Sequence, residues 1–201
     1  MNKECQHTTK STRKRRLLLL SDSDGRGMSS KLQDRLGDHF EVTGLVKPGA
    51  PAHEVIKSVN NLAANFTNED CVLIIGGTND MQNYNSLEGE IIDLASTAVT
   101  LSNKTNVIVA AIPFRHGNEN LNSEIMRVNS LLRQELLLGT RRDDVNSENL
   151  YFSYAMSTDQ QRTYKRDGLH FNNRAKNFIC SKLATQIQML TASKQNLFKC
   201  Y

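Results

Sequence analysis

Cysteine is scarce in this 201-residue chain, and long apolar runs are absent. The four cysteines lack the Cys-x-x-Cys spacing of a zinc site, so we predict no metal site and expect buried thiols where they fall in apolar stretches. No apolar run approaches the roughly 20 residues of a membrane helix. The four leucines at 17–20 are also too few for the apolar core of a secretory signal. We therefore expect no signal peptide, no membrane span and an intracellular location, cytoplasmic or nuclear.

Positive charge is concentrated at the start of the chain. The formal net charge is +4, but residues 1–16 hold six basic residues against Glu4, which gives them +5 and leaves −1 for residues 17–201. The near-neutral body gives no reason to expect a nucleic-acid-binding face. Two interpretations of the basic segment stay open. It is either a solvated terminus, or an arm that contacts nucleic acid weakly or directs nuclear import.

The domain organisation predicted from the sequence is simple. A chain of this length most simply forms one domain, and neither an internal repeat nor a linker divides it. We expect a disordered basic tail over 1–15, a folded domain over 16–192 and a C-terminal tail over 193–201.

Five short apolar runs predict buried strands, and the amphipathic segments between them predict helices. The strands are expected at 16–21, 39–44, 71–76, 106–112 and 149–154. The helices are expected at 29–37, 53–66, 86–102, 119–138 and 173–190. This alternation is typical of an α/β fold. It predicts a three-layer α/β/α sandwich around a five-stranded, mostly parallel sheet with flavodoxin-like strand order.

Polar loops follow the predicted strands, at the edge where open α/β sheets bind ligands. The first loop, SDSDGRG, is compatible with two chemistries. One is a magnesium-dependent phosphatase, because DSDG matches the D-x-D-G signature of the haloacid dehalogenases, with Asp22 as nucleophile and Asp24 as general acid. That signature also needs an acidic pair after a later strand, whereas Asp143 and Asp144 precede the last one.

The second chemistry is acyl transfer by Ser23. It needs a base, a group that orients the base, and donors for the oxyanion. Of the five histidines, only His116 and His170 lie in loops expected at this edge. His170 has Asp167 three residues before it, close enough to hold its ring, and is the candidate base. His116 lacks such a neighbour, so we assign it, with Arg115, to substrate contact at most.

Three groups are candidate oxyanion donors. They are the backbone N–H of Ser23, the backbone N–H of Gly49 in KPGAP, and the side-chain amide of Asn79 in GGTND. Pro-Gly and Asn-Asp pairs also mark ordinary turns, which is the alternative interpretation of each segment alone. Their order after successive strands favours a common site.

Taken together, four sequence blocks resemble the SGNH, or GDSL-type, hydrolases over residues 16–190. The blocks are SDSDGRG, KPGA, GGTND and DGLH. The resemblance implies an α/β/α hydrolase without a cofactor: a serine esterase that hydrolyses a small or short-chain carboxylic ester. Its catalytic triad would be Ser23, Asp167 and His170, and its oxyanion hole would consist of Ser23, Gly49 and Asn79.

Two positions depart from the family pattern, and two aspartates match it. Ser21 and Ala175 stand where the family pattern has glycine. Asp22 and Asp80 match family positions that we expect to bond loop backbone. The chain is also similar to esterase-like domains of retrotransposon-encoded proteins of animals, which share the GGTND and DGLH blocks and basic flanks.

Two alternative functions remain open at this stage. One is a weakly active or inactive SGNH-fold binding domain in a nucleic-acid-associated, retroelement-type protein. The more distant one is the magnesium-dependent phosphatase that uses Asp22. The acyl and alcohol groups of the substrate and the oligomeric state do not follow from these motifs.

Overall fold

The computed structural model describes residues 13–82, 87–141, 147–158 and 160–192. The strands are β1 (Arg15–Ser21), β2 (Phe40–Val46), β3 (Cys71–Ile75), β4 (Asn106–Ala110) and β5 (Leu150–Ser153). The helices are α1 (Met28–Leu36), α2 (Ala52–Ile56), α3 (Val59–Leu62), α4 (Leu87–Ser102), α5 (Glu119–Gly139) and α6 (Asn173–Ala192).

The strands form one sheet in the order β2-β1-β3-β4-β5, and each neighbouring pair is parallel. This is the flavodoxin-like order, so the predicted fold is confirmed. α1 and α6 pack on one face of the sheet, and α2 to α5 pack on the other. Because all strands run the same way, the five loops that follow them lie at one edge of the sheet.

The four leucines of β1 belong to both layers of the core. Side chains alternate along a strand, so Leu17 and Leu19 pack toward α1 and α6, whereas Leu18 and Leu20 pack toward the opposite layer. All four are at most 3% exposed. The strand that carries the SDSDGRG loop is therefore held from both sides.

The helix predicted over 53–66 is replaced by the two short helices α2 and α3, which are interrupted at Lys57 and Ser58. Serine and asparagine side chains compete with helical backbone bonds, and Ser58, Asn60 and Asn61 fall in this stretch. β2 also extends to Val46, two residues beyond the predicted strand.

Cys71 and Cys180 are buried free thiols, whereas Cys5 and Cys200 lie outside the described residues. Burial raises the pKa of both described thiols, to about 11 for Cys180. None of the described helices is long and apolar enough to cross a membrane.

Asp70 joins the start of the chain to the sheet at the edge opposite the polar loops. Its fully buried carboxylate accepts hydrogen bonds from Arg13 at 2.9 Å, from Arg16 at 2.8 Å and from the backbone N–H of Thr67 at 3.0 Å. Burial alone would raise the pKa of Asp70, but these arginine hydrogen bonds outweigh it and lower the pKa to about 2. Two of the six basic residues in 1–16 thus share one internal carboxylate. Residues 1–12 lie outside the described structure.

We predict that Asp70→Asn lowers the free energy of unfolding at pH 7 by about 2 kcal/mol, because it removes a charged hydrogen-bond acceptor from two arginines. The folded pKa of about 2 lies below the unfolded value of 3.8, so the contribution is present above pH 3.8 and is lost as the pH falls toward 2. Urea unfolding of both proteins from pH 7 to pH 2 measures this. A difference that stays constant over that range would contradict the assignment to Asp70 ionisation.

Candidate active site

Ser23 is presented by a turn that begins where β1 ends. It opens a short 3-10 helix over Ser23–Gly25, and Asp22 caps that helix by accepting the N–H of Asp24 at 2.9 Å. The hydroxyl of Ser21 accepts the N–H of Gly25 at 2.9 Å. A Cβ on Gly25 would lie 2.4 Å from Ser21, so only glycine allows this approach. Ser23 is half-buried between the two fully buried aspartates, which leaves its hydroxyl facing the loop edge.

The structure brings Ser23, His170 and Asp167 into one hydrogen-bonded line. The Oγ of Ser23 lies 3.3 Å from Nε2 of His170, and Nδ1 of His170 lies 2.8 Å from Oδ2 of Asp167. A proton on Nδ1 satisfies the carboxylate and leaves the Nε2 lone pair directed at the serine hydroxyl. That is the tautomer a general base needs.

Asp167 is held by its own turn. Its Oδ1 accepts the backbone N–H groups of Leu169 and His170, both at 2.9 Å. These bonds, with the backbone of His170 contributing most and its side chain next, lower the pKa of Asp167 to about 2. The carboxylate is therefore ionised at neutral pH.

The loop after β4 is hydrogen-bonded to the loop that carries the candidate base. The N–H of His116 donates to the carbonyl of Gly168 at 2.9 Å. Gly168 has φ +65°, and a Cβ there would lie 3.0 Å from the carbonyl oxygen of His116. The exposed ring of His116 stacks on Tyr164 with 6.2 Å between centroids. The two predicted site loops are thus adjacent, although His116 itself faces Tyr164.

Gly49 and Asn79 lie in the loops on either side of the β1 turn. The N–H of Lys47 donates to Ser21 at 2.8 Å, which joins the loop after β2 to β1. Asn79 donates one amide hydrogen to the carbonyl of Ala50 at 2.9 Å, and this leaves its second amide hydrogen for another acceptor. Within the described residues, the backbone N–H groups of Ser23 and Gly49 have no protein acceptor.

Asp80 also joins the same two loops. Its carboxylate accepts the backbone N–H of Ala52 at 2.9 Å and is itself buried. Asp22 and Asp80 therefore both bond loop backbone.

A buried pair of carboxylates lies beneath the candidate nucleophile. Thr78 donates to Oδ2 of Asp24 at 3.0 Å, but Oδ1 of Asp24 and Oδ2 of Asp22 have no partner among the described residues. Burial, and then the charge of Asp24, raise the pKa of Asp22 to about 7, and burial raises the pKa of Asp24. The positive charges of Arg115 and Lys176 act on Asp24 in the opposite direction.

Arg115 and Lys176 are two basic side chains whose charges act on this pair. Arg115 reaches the carbonyl of Thr78 at 3.3 Å, so the loop position predicted for substrate contact also has an internal partner. Lys176 is 8% exposed and donates to the carbonyl of Arg26 at 2.8 Å. The role of Lys176 is not predicted from the motifs. The sequence feature that could have indicated a buried lysine is its position on the apolar stripe of α6, one turn before Cys180.

Comparison with solved structures establishes the type of fold. A structure of the M. smegmatis aryl esterase is 19% identical, covers 88% of this chain and 99% of that one, and has a TM-score of 0.65. A family 3 carbohydrate esterase of Clostridium thermocellum is 17% identical, covers 90% of this chain and 98% of its own, and has a TM-score of 0.66. A Slackia heliotrinireducens protein provisionally classed as an SGNH hydrolase is 16% identical, with 86% and 98% covered and a TM-score of 0.59. The chain has the SGNH-hydrolase fold. No protein-family model and no curated protein matches the sequence.

The two departures from the SGNH pattern are accommodated locally. Ser21 is fully buried and uses its hydroxyl to hold Gly25, as described above. Ala175 is buried in the first turn of α6, where its N–H donates to the side chain of Asn172 at 3.0 Å. Neither side chain lies between the members of the Ser23, His170 and Asp167 line.

We predict that Asp24→Asn stabilises the protein at pH 8, by on the order of 2 kcal/mol, and has little effect at pH 4. The folded pKa of Asp22, about 7, lies above the unfolded 3.8, so the cost of ionising the pair is absent below pH 3.8 and grows as the pH rises toward 7. Urea unfolding at both pH values measures it, with the exposed Asp34→Asn as control. A loss of stability at pH 8 would show that Arg115 and Lys176 already compensate both charges.

Proposed function

We propose that the chain is a serine esterase of the SGNH type that hydrolyses small or short-chain carboxylic esters through an acyl-enzyme on Ser23. The observation that carries this proposal is the hydrogen-bonded line from Ser23 through His170 to Asp167. A hydroxyl, an imidazole and an ionised carboxylate in this order form the arrangement that activates a serine for acyl transfer.

In the first step His170 Nε2 takes the proton from Ser23 while Oγ attacks the ester carbonyl carbon. The imidazolium that forms is stabilised by the ionised Asp167. His170 then returns the proton to the departing alkoxide, so the alcohol leaves and the acyl group remains on Ser23. In the second step water attacks the acyl carbon and gives a proton to His170. His170 passes this proton to Oγ of Ser23 as the bond between Oγ and the acyl carbon breaks, and the carboxylic acid leaves.

The negative charge on the carbonyl oxygen needs donors that are in place before the reaction. We assign this role to the backbone N–H groups of Ser23 and Gly49 and to the free amide hydrogen of Asn79. Their support is that each is a donor without a described acceptor and that the loops carrying them are bonded to the Ser23 turn or to each other. No cofactor is required by this chemistry.

The geometry favours Ser23 over Asp22 as nucleophile. Asp22 is fully buried, and one of its oxygens already accepts the N–H of Asp24. The described residues contain no group of three or more His, Cys, Asp or Glu side chains placed to share a metal ion. The aryl and carbohydrate esterase activities named for two solved neighbours support ester substrates in general.

Ser23→Ala should reduce hydrolysis of short-chain p-nitrophenyl esters by roughly 10³-fold or more while the fold is retained, because triad members act as a unit. Initial rates and thermal unfolding of wild type and variant measure this. Ser30→Ala is a matched control, since Ser30 is exposed on α1 and lies outside the line. If Ser23→Ala keeps its rate and Asp22→Asn instead loses a magnesium-dependent phosphatase activity, the proposal is wrong.

Asn79→Ala should lower kcat by about 10²-fold to 10³-fold with little change in KM, because its amide meets a charge present only in the transition state. Steady-state kinetics with one ester separates the two constants, and Asn103→Ala on the surface serves as control. A loss expressed wholly in KM would make Asn79 a substrate-binding residue.

A further inference from the structure

A series of concave depressions lines the β5 side of the sheet, away from Ser23. The largest, about 520 Å³, lies between α6 and the loop after β5, and it shares Ala155 and Lys182 with a neighbour of about 410 Å³. Two more, of about 360 and 410 Å³, continue to α5 and share Tyr154 with that neighbour. We call the whole series the edge groove. It is defined by Arg133, Arg141, Tyr151, Tyr154, Arg162, Arg174, Phe178 and Lys182.

The α6 wall of the edge groove is a basic and aromatic stripe. Arg174, Phe178 and Lys182 are spaced by four residues, so they lie on one side of the helix at intervals of roughly 6 Å. Phe178 is 61% exposed, and the ammonium of Lys182 lies 4.6 Å from the centre of its ring. Arg162 approaches from the opposite wall.

The β5 and α5 part of the edge groove has the same character. Tyr151 and Tyr154 are 42% and 52% exposed, and Arg133 and Arg141 line the depressions beside them. All three strongly exposed aromatic residues in the described part of the chain lie in this groove.

Among the described residues, the cations of the edge groove have no acidic partner. None of its five arginine and lysine residues forms an ion pair within the described structure, and no described acidic side chain lines its depressions. Along the chain, residues 17–159 hold eleven basic against nineteen acidic residues, whereas residues 160–192 hold six against one. The net charge of the body is therefore near neutral only because an acidic segment and a basic segment offset each other.

We propose that the edge groove binds single-stranded nucleic acid, with the five cations on phosphates and with Phe178, Tyr154 and Tyr151 as stacking surfaces for bases. Cations that follow a backbone, interleaved with aromatic rings, are the features by which proteins hold unpaired strands without sequence preference. This binding is a function beyond ester hydrolysis and does not depend on Ser23.

The lining of the groove favours a nucleic acid over an anionic lipid surface. A membrane-binding face presents an apolar surface that enters the lipid boundary. Here the depressions carry hydrogen-bonding side chains, including Gln160, Thr163 and Gln186, beside the cations. Such side chains suit base edges and phosphate oxygens. RNA and DNA share this chemistry, and both are used in the test.

The test is fluorescence anisotropy with labelled single-stranded RNA and DNA of about 16 nucleotides and the full chain. Phe178→Ala combined with Tyr154→Ala should weaken binding about tenfold or more, because each stacked base loses its platform. Arg174→Gln combined with Lys182→Gln should reduce the slope of log affinity against log salt by about 1.4, because each phosphate contact on a single strand contributes about 0.7.

Matched controls separate these effects from general changes of surface. Leu62→Ala with Met126→Ala removes two exposed apolar side chains elsewhere, and Lys57→Gln with Lys104→Gln removes the same formal charge elsewhere. Neither pair should change affinity as the groove variants do. Thermal unfolding checks that every variant folds, and deletion of residues 1–12 measures the contribution of the basic terminus.

Three results would overturn the proposal. Binding that survives the groove substitutions but is lost on deletion of residues 1–12 would assign nucleic-acid contact to the terminus. Groove-dependent binding to phosphatidylserine vesicles without binding to oligonucleotides would make the groove a membrane surface. Displacement of the oligonucleotide by polyglutamate at equal charge would show that the groove attracts any polyanion and does not stack bases.

Discussion

Two backbone hydrogen bonds extend the sheet pairing beyond the end of β1. The N–H of Asp22 donates to Ile75 at the end of β3, and the N–H of Lys47, just after β2, donates to Ser21. These bonds determine where three loops leave the sheet, so Ser23, Gly49 and Asn79 start from neighbouring points. They hold because the four leucines before Ser21 are packed from both faces. The position of the proposed nucleophile is thus a consequence of core packing in one strand.

Beyond those two bonds, polar groups and not apolar packing hold the site loops in position relative to one another. Asn79 and Asp80 bond the loop after β2, Thr78 bonds Asp24, and the backbone of His116 bonds Gly168. The network includes two buried carboxylates, each with an oxygen that has no partner among the described residues. Their burial disfavours ionisation, and two cations favour it. Placing Ser23 between Asp22 and Asp24 therefore requires buried polar atoms directly beneath the site.

The sequence predicts the parts of this molecule that depend on periodicity and on strand ends. The five apolar runs predict all five strands, and the loops after them contain every residue of the proposed triad and oxyanion hole. The interruption between α2 and α3 was not predicted, because the apolar stripe of 53–66 continues through Ser58 whereas the backbone does not. The electrostatic effect of Arg115 and Lys176 on the Asp22 and Asp24 pair also escapes prediction. Hydrophobic patterning does not tell which charges meet inside a fold.

The edge groove was not predicted for a related reason. Its residues come from α5, β5, the following loop and α6, and each residue alone is compatible with an ordinary solvated surface. The loop after β5 and α6 both connect the groove to the proposed catalytic site, since that loop carries Arg162 as well as His170. Helix α6 begins three residues after His170, keeps Lys176 inside near Asp24, and exposes Arg174, Phe178 and Lys182 on another side. One helix thus separates two electrostatic environments, a buried acidic one under Ser23 and an exposed basic one at β5. A ligand on the exposed side can therefore bind without contacting the residues proposed for ester hydrolysis.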